Sequence, residues 1–216
     1  MELYFVRHGK TEWNLEGKYQ GSHGDSPLLP DSIHDISLLA ERLRKVNISH
    51  AYTSPLPRAK TTAEVLISDM NKNIPLTVVD DLREFDLGVM EGKKFVDLEK
   101  KIPEVIHAFR YEPADYDNNK IKAESFESVV KRTNSAINLI VDKNHGKGNV
   151  LIVSHGAALV AMIQSLLGND IADIRKDGGL SNTSLTHLRY ENGRYKLINW
   201  NETKFLNKEL KSTDTI

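Results

Sequence analysis

Two histidines, each followed by a glycine, stand where short apolar runs of the sequence end. His8 lies two residues after the run Leu3–Val6, and His155 lies two residues after the run Val150–Val153. Such runs predict buried strands of a parallel sheet, and open α/β sheets bind ligands outside the carboxyl ends of their strands. A following glycine lets the backbone approach a ligand and offers an amide to an anion. One such histidine is more often structural, whereas the pair favours a catalytic site.

Two arginines and one glutamate suggest which chemistry the histidines perform. Arg58 follows Pro57 at the predicted start of a helix, where a cation opposes the helix dipole at a cost of about 0.3–1 kcal/mol. It is either a solvated surface residue or, together with Arg7, a bidentate clamp for a phosphate. Glu84, taken alone, is a surface carboxylate, but beside histidines and arginines it becomes a candidate proton donor.

Other chemistries fit the sequence less well. There is no Gly-x-Ser-x-Gly elbow and no His-Glu-x-x-His pair, and Gly146-Lys147-Gly148 lacks the spacing of a Walker A loop. Ser154 and His155 are adjacent at a strand end, so their side chains should diverge rather than pair. The sequence therefore predicts no metal and no cofactor. The other histidines read as ordinary polar positions: His23, His34, His50, His107, His145 and His187.

Length and composition set the broad class of the protein. The 216 residues fit one domain, and 29 basic against 30 acidic residues give no global charge bias, which argues against a nucleic-acid or membrane-surface binder. There are no cysteines, and no apolar run approaches the ~18 residues of a membrane span. Without a signal-peptide pattern, a cytoplasmic location is expected. A homodimer is compatible with the sequence.

Strand and helix patterns alternate along the chain. We predict an α/β fold with three αβα layers, in which a mostly parallel open sheet carries helices on both faces. A small cap is expected at about residues 89–124, an antiparallel hairpin around Asn192-Gly193, and a mobile tail over residues 206–216. The helical patterns cover Ile33–Lys45, Arg58–Met70, Ser125–Asn144 and Ala157–Leu167.

Four motifs resemble, in order, those of the histidine phosphatase superfamily, also called phosphoglycerate mutase-like. The resemblance runs from residue 3 to about residue 200. The motifs are Arg7-His8-Gly9 with its continuation to Asn14 and Tyr19-Gln20-Gly21, Ser54-Pro55-Leu56-Pro57-Arg58, Leu82-Arg83-Glu84, and Ser154-His155-Gly156.

The resemblance implies a role for each matched residue. Arg7, Arg58, His8 and His155 would surround the phosphoryl group, with His8 as the nucleophile and Glu84 as acid and base. Asn14 would add a phosphate contact, and Gln20 and Gly21 would lie on the substrate side. Independently of the resemblance, Gly156 is expected to offer its amide to the anion because it follows His155 at the strand end. The two arginines should also lower the pKa of His8 and keep it neutral.

The resemblance leaves three functions to weigh. Cofactor-dependent mutases of the family usually continue after the glutamate with His-Tyr-Gly and a longer insertion. Here Phe85-Asp86-Leu87-Gly88 and a compact segment resemble the broad-specificity phosphatase branch. We therefore expect a metal-independent phosphatase acting on a small phosphorylated metabolite, with a phosphoglycerate mutase as the runner-up. An inert protein that only binds phosphorylated ligands is the third alternative.

Overall fold

A single six-stranded sheet organises the molecule, in the order β3-β2-β4-β1-β5-β6. The computed structural model describes residues 1–215, and Ile216 lies outside the described residues. The first four strands of that order run parallel, while β5 and β6 are antiparallel to their neighbours. The strands are β1 (Glu2–Arg7), β2 (Ile48–Thr53), β3 (Leu76–Val78), β4 (Asn149–Ser154), β5 (Leu185–Glu191) and β6 (Arg194–Glu202).

Helices cover both faces of this sheet, as the sequence predicts. Side chains of β1 alternate: Leu3 and Phe5 join the core beneath α6 and α7, whereas Tyr4 and Val6 join the core beneath α2 and α3. The predicted three-layer αβα architecture is therefore confirmed. The helices are α1 (Glu12–Leu15), α2 (Pro30–Leu43), α3 (Pro57–Asp69), α4 (Phe95–Lys101), α5 (Pro103–Tyr111), α6 (Phe126–Asn144) and α7 (Gly156–Leu166).

Local signals explain where several elements begin. Pro30 and Pro57 occupy the first positions of α2 and α3, where the missing amide costs no hydrogen bond. The Ser125 side chain accepts a hydrogen bond from the Ser128 amide and caps α6. The hairpin between β5 and β6 turns at Asn192 and Gly193, both with positive φ.

The segment predicted to form a cap lies between β3 and α6, and its role as a cap stays a prediction. It consists of α4 and α5 with three short 3-10 helices at Gly88–Met90, Pro113–Asp115 and Asn118–Ile121. Its Phe109 ring packs against Phe85 and Phe126, with centroids 5.6 and 5.7 Å apart. An aromatic cluster therefore joins the cap to the first turn of α6 and to the residue that follows Glu84.

The C-terminal segment, predicted from sequence to be mobile, contacts Lys10 in the loop that follows β1. Asp214 accepts from the Lys10 ammonium at 2.6 Å, and Thr215 pairs with Ser181. Its mobility stays a prediction. Within residues 1–215, no helix is both long enough and apolar enough to cross a membrane.

Candidate active site

The sheet places the two strand-end histidines side by side. Strands β1 and β4 are adjacent and parallel, with Arg7 opposite Ser154, so His8 and His155 follow neighbouring strand ends. The His8 amide donates to the Ser154 carbonyl at 3.0 Å, and the two ring centroids are 5.2 Å apart. Both side chains are buried. Ser154 Oγ donates instead to the Leu82 carbonyl at 2.7 Å, so it diverges from His155 as predicted.

The hydrogen bond of His8 fixes which ring nitrogen is free. Nδ1 lies 2.8 Å from the Gly9 carbonyl, and a carbonyl only accepts, so Nδ1 carries the proton and the Nε2 lone pair is available. Burial, followed by the charges of Arg58 and Arg7, lowers the pKa of His8 well below its ordinary 6.5. The arginines act in the predicted direction, but burial is the larger cause. The ring is therefore neutral at neutral pH.

His155 is oriented by a serine to which the sequence analysis gave no role. Its Nε2 lies 2.6 Å from Ser54 Oγ, which also accepts from the Leu56 amide at 3.2 Å. The serine hydrogen is then free to donate to Nε2, which leaves the ring proton on Nδ1. Nδ1 is buried and has no partner within residues 1–215. Burial, then the charge of Arg58, lowers the pKa of His155 well below 6.5.

Arg7 is a buried cation with two unused donors. Its Nη1 donates to the carbonyls of Leu180 (2.5 Å) and Asp214 (2.9 Å), while Nε and Nη2 find no partner in the described chain. Burial lowers the pKa of Arg7 to about 10, so the side chain stays charged at neutral pH. A Cβ on Gly156 would lie 3.1 Å from Arg7 Nε. The absence of a side chain at Gly156 therefore leaves room for the Arg7 guanidinium.

Arg58 is held by the loop that follows β1 and α1. Nη1 donates to the Gly24 carbonyl and to Asp25 Oδ1, both at 2.9 Å, and Nη2 donates to the Gly21 carbonyl at 3.0 Å. Its Nε is buried and unpartnered among residues 1–215. Gly21, expected on the substrate side, therefore supports Arg58 through its backbone. A Cβ there would meet the Phe85 carbonyl at 2.7 Å.

Unused donors on three neighbouring groups mark an anion site. Arg7, Arg58 and His155 each keep at least one buried nitrogen without a partner in the part of the chain described. Leaving a buried donor unsatisfied costs about 1–3 kcal/mol, and more for a charged group. Guanidinium donors match the oxygens of a phosphate in geometry and charge. The arrangement therefore suits a tetrahedral dianion that completes these hydrogen bonds.

Glu84 lies at the N-terminus of α7. Its Oε1 accepts from the amides of Phe85 (2.9 Å) and Ala158 (2.8 Å), and its Oε2 accepts from the amide of Ala157 (3.1 Å). These bonds use amide donors that the first turn of a helix leaves free. Within residues 1–215, Oε2 accepts only one hydrogen bond, so it keeps a lone pair for a proton. Against the lowering by burial, the Glu84 charge raises the pKa of Arg7 and Arg58, and the Ala157 amide that Glu84 binds follows Gly156, which lies against the Arg7 guanidinium.

A further arginine, missed in the sequence analysis, holds the segment that carries Glu84. Arg132 of α6 donates from Nη1 to the carbonyls of Asp81 (2.7 Å) and Arg83 (2.9 Å), and from Nη2 to the carbonyl of Glu84 (3.1 Å). It also pairs with Glu124 at 2.8 Å. In the sequence, Arg132 reads as one more polar position of an amphipathic helix, and no short-range signal marks it.

The other predicted binding residues belong to a polar network behind His8. Asn14 Oδ1 accepts from Asn182 Nδ2 at 3.2 Å, and that same nitrogen lies 3.1 Å from the His8 carbonyl. The Gln20 side chain bonds to Thr11 Oγ1 at 2.8 Å. The structure therefore links Asn14 to the His8 backbone through Asn182, and it joins Gln20 to the same network through Thr11.

An ionic cluster lies on the loop that holds Arg58. His23 Nδ1 is 3.6 Å from Asp86 Oδ1 and 3.5 Å from Glu91 Oε1. The atoms of these three side chains that could bind a metal ion lie within 4.8 Å of one another. The sequence analysis treated His23 as an ordinary polar position. Glu91 already accepts from the amides of His23 and Leu87, which accounts for the cluster as a loop-stabilising contact.

Two cavities lie near the cap. The larger, about 730 Å³, lies along α5 and contains none of the five residues expected to do the chemistry. The second, about 580 Å³, lies between the cap and the C-terminal segment; Tyr19 and Arg175 line it, and it likewise contains none of those five residues. We call this second cavity the cap cleft. Its other walls include Phe95, Arg110 and Thr213.

The site contains a neutral histidine beside unsatisfied cationic donors at the carboxyl edge of an αβα sheet. These features define the class of this protein as a phosphoryl-transfer enzyme. The chain belongs to the histidine phosphatase superfamily (branch 1), because the model of that family matches residues 3–203. The resemblance seen in the sequence motifs is thereby confirmed.

Similar proteins include both mutase-like and phosphatase members. The chain is 34% identical to phosphoglycerate mutase-like protein 4 of Arabidopsis thaliana over 207 residues, covering 95% of this chain and 86% of that protein. It superimposes on Bacillus stearothermophilus YhfR with a TM-score of 0.83 and 31% identity, covering 91% and 95% of the two chains. A mycobacterial glucosyl-3-phosphoglycerate phosphatase, solved in complex with VO3, gives a TM-score of 0.82 at 26% identity, covering 93% and 98%.

Proposed function

We propose that this protein is a phosphatase that hydrolyses small phosphomonoesters through a phosphohistidine on His8, without a metal ion. One observation carries the proposal. The free Nε2 of a neutral His8 lies in a group whose other members, Arg7, Arg58 and His155, offer unused buried donors within residues 1–215. These donors supply the charge stabilisation for which other phosphoryl-transfer enzymes use magnesium.

The reaction proceeds in two displacements. His8 Nε2 forms a bond to phosphorus while the bond from phosphorus to the leaving oxygen breaks, and Glu84 gives its proton to that oxygen. Water then attacks the phosphohistidine, the nitrogen–phosphorus bond breaks, and the Glu84 carboxylate takes the proton of the water. Arg7, Arg58 and His155 hold the equatorial oxygens in both steps.

The segment after Glu84 favours a phosphatase over a mutase. Phe85 is fully buried and packs edge-on against Phe126 at 5.0 Å, so an apolar ring stands where the mutases of the family carry a polar histidine. A mutase must hold its phosphorylated intermediate in place and protect the phosphohistidine from water. We expect release of phosphate from 3-phosphoglycerate to outrun its isomerisation, and the reverse order would favour the mutase.

Hydrolysis of nitrophenyl phosphate in excess chelator tests the mechanism. We expect steady turnover, loss of turnover in His8→Gln, and an acid-labile, alkali-stable phosphoryl group trapped on His8. Activity that disappears with chelator and returns with a divalent ion would overturn metal independence. Phosphate found on a serine or an aspartate would overturn the role of His8, and binding without turnover would favour the inert alternative.

The expectations about substrate class, partners, cellular location and oligomeric state belong to the same proposal. A small phosphorylated metabolite is the substrate class, with no nucleic acid or membrane as partner. The cytoplasmic location and the homodimer stay predictions from the sequence. Light scattering of the purified chain decides the second of these.

A further inference from the structure

Residues 211–215, which we call the C-terminal strap, reach the guanidinium of Arg7. Arg7 Nη1 donates to two backbone carbonyls, to Leu180 at 2.5 Å and to Asp214 at 2.9 Å. Nε and Nη2, along the other edge of the planar group, have no partner within residues 1–215. Because the guanidinium is rigid, the two carbonyls fix the direction in which this free edge points. The strap therefore helps to orient one donor pair of the anion site.

The strap is a polar segment bordered by cavities. Its sequence, Lys211-Ser212-Thr213-Asp214-Thr215, contains no hydrophobic residue. Thr213 and Thr215 line the cap cleft, and Lys211 and Asp214 line another cavity of about 350 Å³. A segment that buries few apolar groups opens at a low cost in free energy unless hydrogen bonds and ion pairs hold it. The position of the Asp214 carbonyl therefore depends on the polar contacts of the strap.

The ion pair of Lys10 with Asp214 is a shielded contact of this kind. Lys10 Nζ donates to Asp214 Oδ1 at 2.6 Å and to Thr213 Oγ1 at 2.8 Å, and the two charged side chains are only 10% and 8% exposed. Asp214 Oδ2 accepts from the Lys211 amide at 2.6 Å. Burial raises the pKa of Asp214, but these hydrogen bonds outweigh it and hold the pKa below its ordinary value. Since Lys10 lies two residues after His8, the pair ties the strap to the loop that begins at the proposed nucleophile.

The Asp214 carbonyl also serves the segment that precedes β5. It accepts from the Asn182 amide at 2.8 Å, and Asn182 Nδ2 donates to the His8 carbonyl at 3.1 Å. Thr215 pairs with Ser181 in an antiparallel bridge. The strap, residues 181–182 and the end of β1 thus form one hydrogen-bonded network, so a displacement of the strap reaches the backbone of His8 as well as the side chain of Arg7.

We propose that Lys10 and Asp214 are positioning residues, which orient Arg7 toward the phosphoryl group by holding the C-terminal strap in place. They act through the backbone carbonyl of Asp214. The proposal rests on the phosphatase function proposed above, because it concerns the same phosphoryl site. Two consequences follow. Variants that release the strap weaken phosphate binding, and by thermodynamic reciprocity bound phosphate makes the strap harder to open.

Titration calorimetry with inorganic phosphate tests the first consequence without relying on turnover. For Lys10→Met and for Asp214→Ala we expect the Kd for phosphate to rise about ten- to hundredfold, the range typical for loss of one hydrogen bond to a charged group. Lys10→Arg, which keeps a cation for the same carboxylate, should restore most of the affinity. The double variant Lys10→Met/Asp214→Ala should bind no more weakly than the weaker single variant, because both changes release the same contact.

The matched control is Lys208→Met. Lys208 is a cation of the same C-terminal segment that pairs with Asp35 of α2, outside the strap. We expect its Kd for phosphate to stay within about twofold of the wild-type value. Titrations are run well below the melting temperature of each variant, so that an unfolded fraction does not lower the apparent affinity. Equal losses in Lys10→Met and Lys208→Met, wild-type affinity in Lys10→Met, or no recovery in Lys10→Arg would overturn the proposal.

Hydrogen exchange of the wild-type protein tests the reciprocal consequence and needs no variant. The Asp214 amide donates to the Lys211 carbonyl, and the Lys211 amide donates to Asp214 Oδ2, so both amides report opening of the strap. We expect saturating phosphate to slow their exchange by the same factor, about ten- to hundredfold, by which release of the strap weakens phosphate binding. Unchanged exchange of these amides with phosphate bound would contradict the proposal.

One outcome separates this proposal from the function on which it rests. If the wild-type protein neither binds phosphate nor hydrolyses nitrophenyl phosphate, the phosphatase function fails and the positioning role fails with it. If the wild-type protein does both, and its affinity for phosphate does not depend on Lys10, the positioning role alone is overturned.

Discussion

A neutral imidazole packed among cations is the chemical centre of the site. The same burial that keeps His8 and His155 unprotonated makes them sensitive to acid, because the unfolded chain protonates them at an ordinary pKa of 6.5. Below that pH the unfolded state binds protons that the folded state does not. The histidines therefore favour unfolding as the pH falls from about 6.5 toward their lower folded pKa values.

The lowered pKa values of the two histidines lead to a measurable pH dependence of the free energy of unfolding. Each histidine is expected to lower the free energy of unfolding by up to about 1.4 kcal/mol per pH unit in that window. Denaturant unfolding at pH 7.5, 6.5 and 5.5 should show a steeper decline for the wild type than for His8→Asn/His155→Asn. His50, whose pKa is also lowered, is present in both chains and cancels. Parallel declines would contradict the burial argument.

The proton-donor role of Glu84 predicts a dependence on the leaving group. An alkoxide needs a proton as it leaves, whereas a nitrophenolate scarcely does. Glu84→Gln should therefore slow phosphoryl transfer from alkyl phosphates far more than from nitrophenyl phosphate, within the ~10²–10⁴-fold that general acid catalysis supplies. Rapid mixing measures phosphoenzyme formation on the first turnover. Equal slowing of both substrates would reassign Glu84 to substrate positioning.

At the scale of single residues, the sequence identifies the candidate site residues but not the groups that contact them. His8, His155, Arg7, Arg58 and Glu84 can be chosen from motif context, and the structure brings them together. Ser54 lies within the second motif, but its contact with His155 cannot be chosen this way. That hydrogen bond joins residues 101 positions apart, and such a separation leaves no local pattern.

At the scale of elements, α6 positions Glu84. The Arg132 guanidinium binds three carbonyls on the segment Asp81–Glu84, and both it and its partner Glu124 are nearly buried. Removing one partner of a buried ion pair typically costs about 3–5 kcal/mol. Loss of Arg132 affects catalysis as well as stability, because the segment that Arg132 holds in place carries Glu84, the proposed acid.

We expect Arg132→Met to lower both the melting temperature and the rate on alkyl phosphates. The first-turnover ratio of alkyl to nitrophenyl phosphate separates positioning from mere destabilisation, since a partly unfolded enzyme loses both activities equally. A fall in this ratio that Arg132→Lys partly restores supports a positioning role. The exposed Lys131→Met on the same helix is the matched control, and an unchanged ratio in Arg132→Met would rule the role out.

Most elements follow from apolar periodicity and from flanking proline and serine. The sequence predicted α2, α3, α6 and α7 to within about three residues at each end. It did not predict α1, because four residues carry no measurable periodicity. That helix is defined by reciprocal bonds between Thr11 and Asn14, a capping box in which asparagine takes the place of the usual glutamate or glutamine.

At the scale of the whole molecule, the unsatisfied donors make stability depend on anions. A ligand that binds only the folded chain adds about 2.7 kcal/mol to the free energy of unfolding at one hundred times its Kd, and we expect inorganic phosphate or vanadate to act as such a ligand. We expect phosphate to raise the melting temperature beyond an equal ionic strength of chloride. The effect should be lost in Arg58→Met and kept in Arg44→Met, which alters an exposed ion pair with Glu41. Equal shifts in both variants would show an unspecific salt effect.

The position of β1 in the middle of the sheet has a consequence for synthesis on the ribosome. Leu3 pairs with Val150 on one side and with Leu188 on the other. The nascent strand therefore stays unpaired until both neighbouring strands have been made. At ~5–20 residues per second, the last of them emerges roughly 10–40 s later. Until then an apolar strand is exposed, which is the kind of segment that chaperones bind. His8 thus acquires its chemical surroundings only after β5 (Leu185–Glu191), far along the chain, has been made.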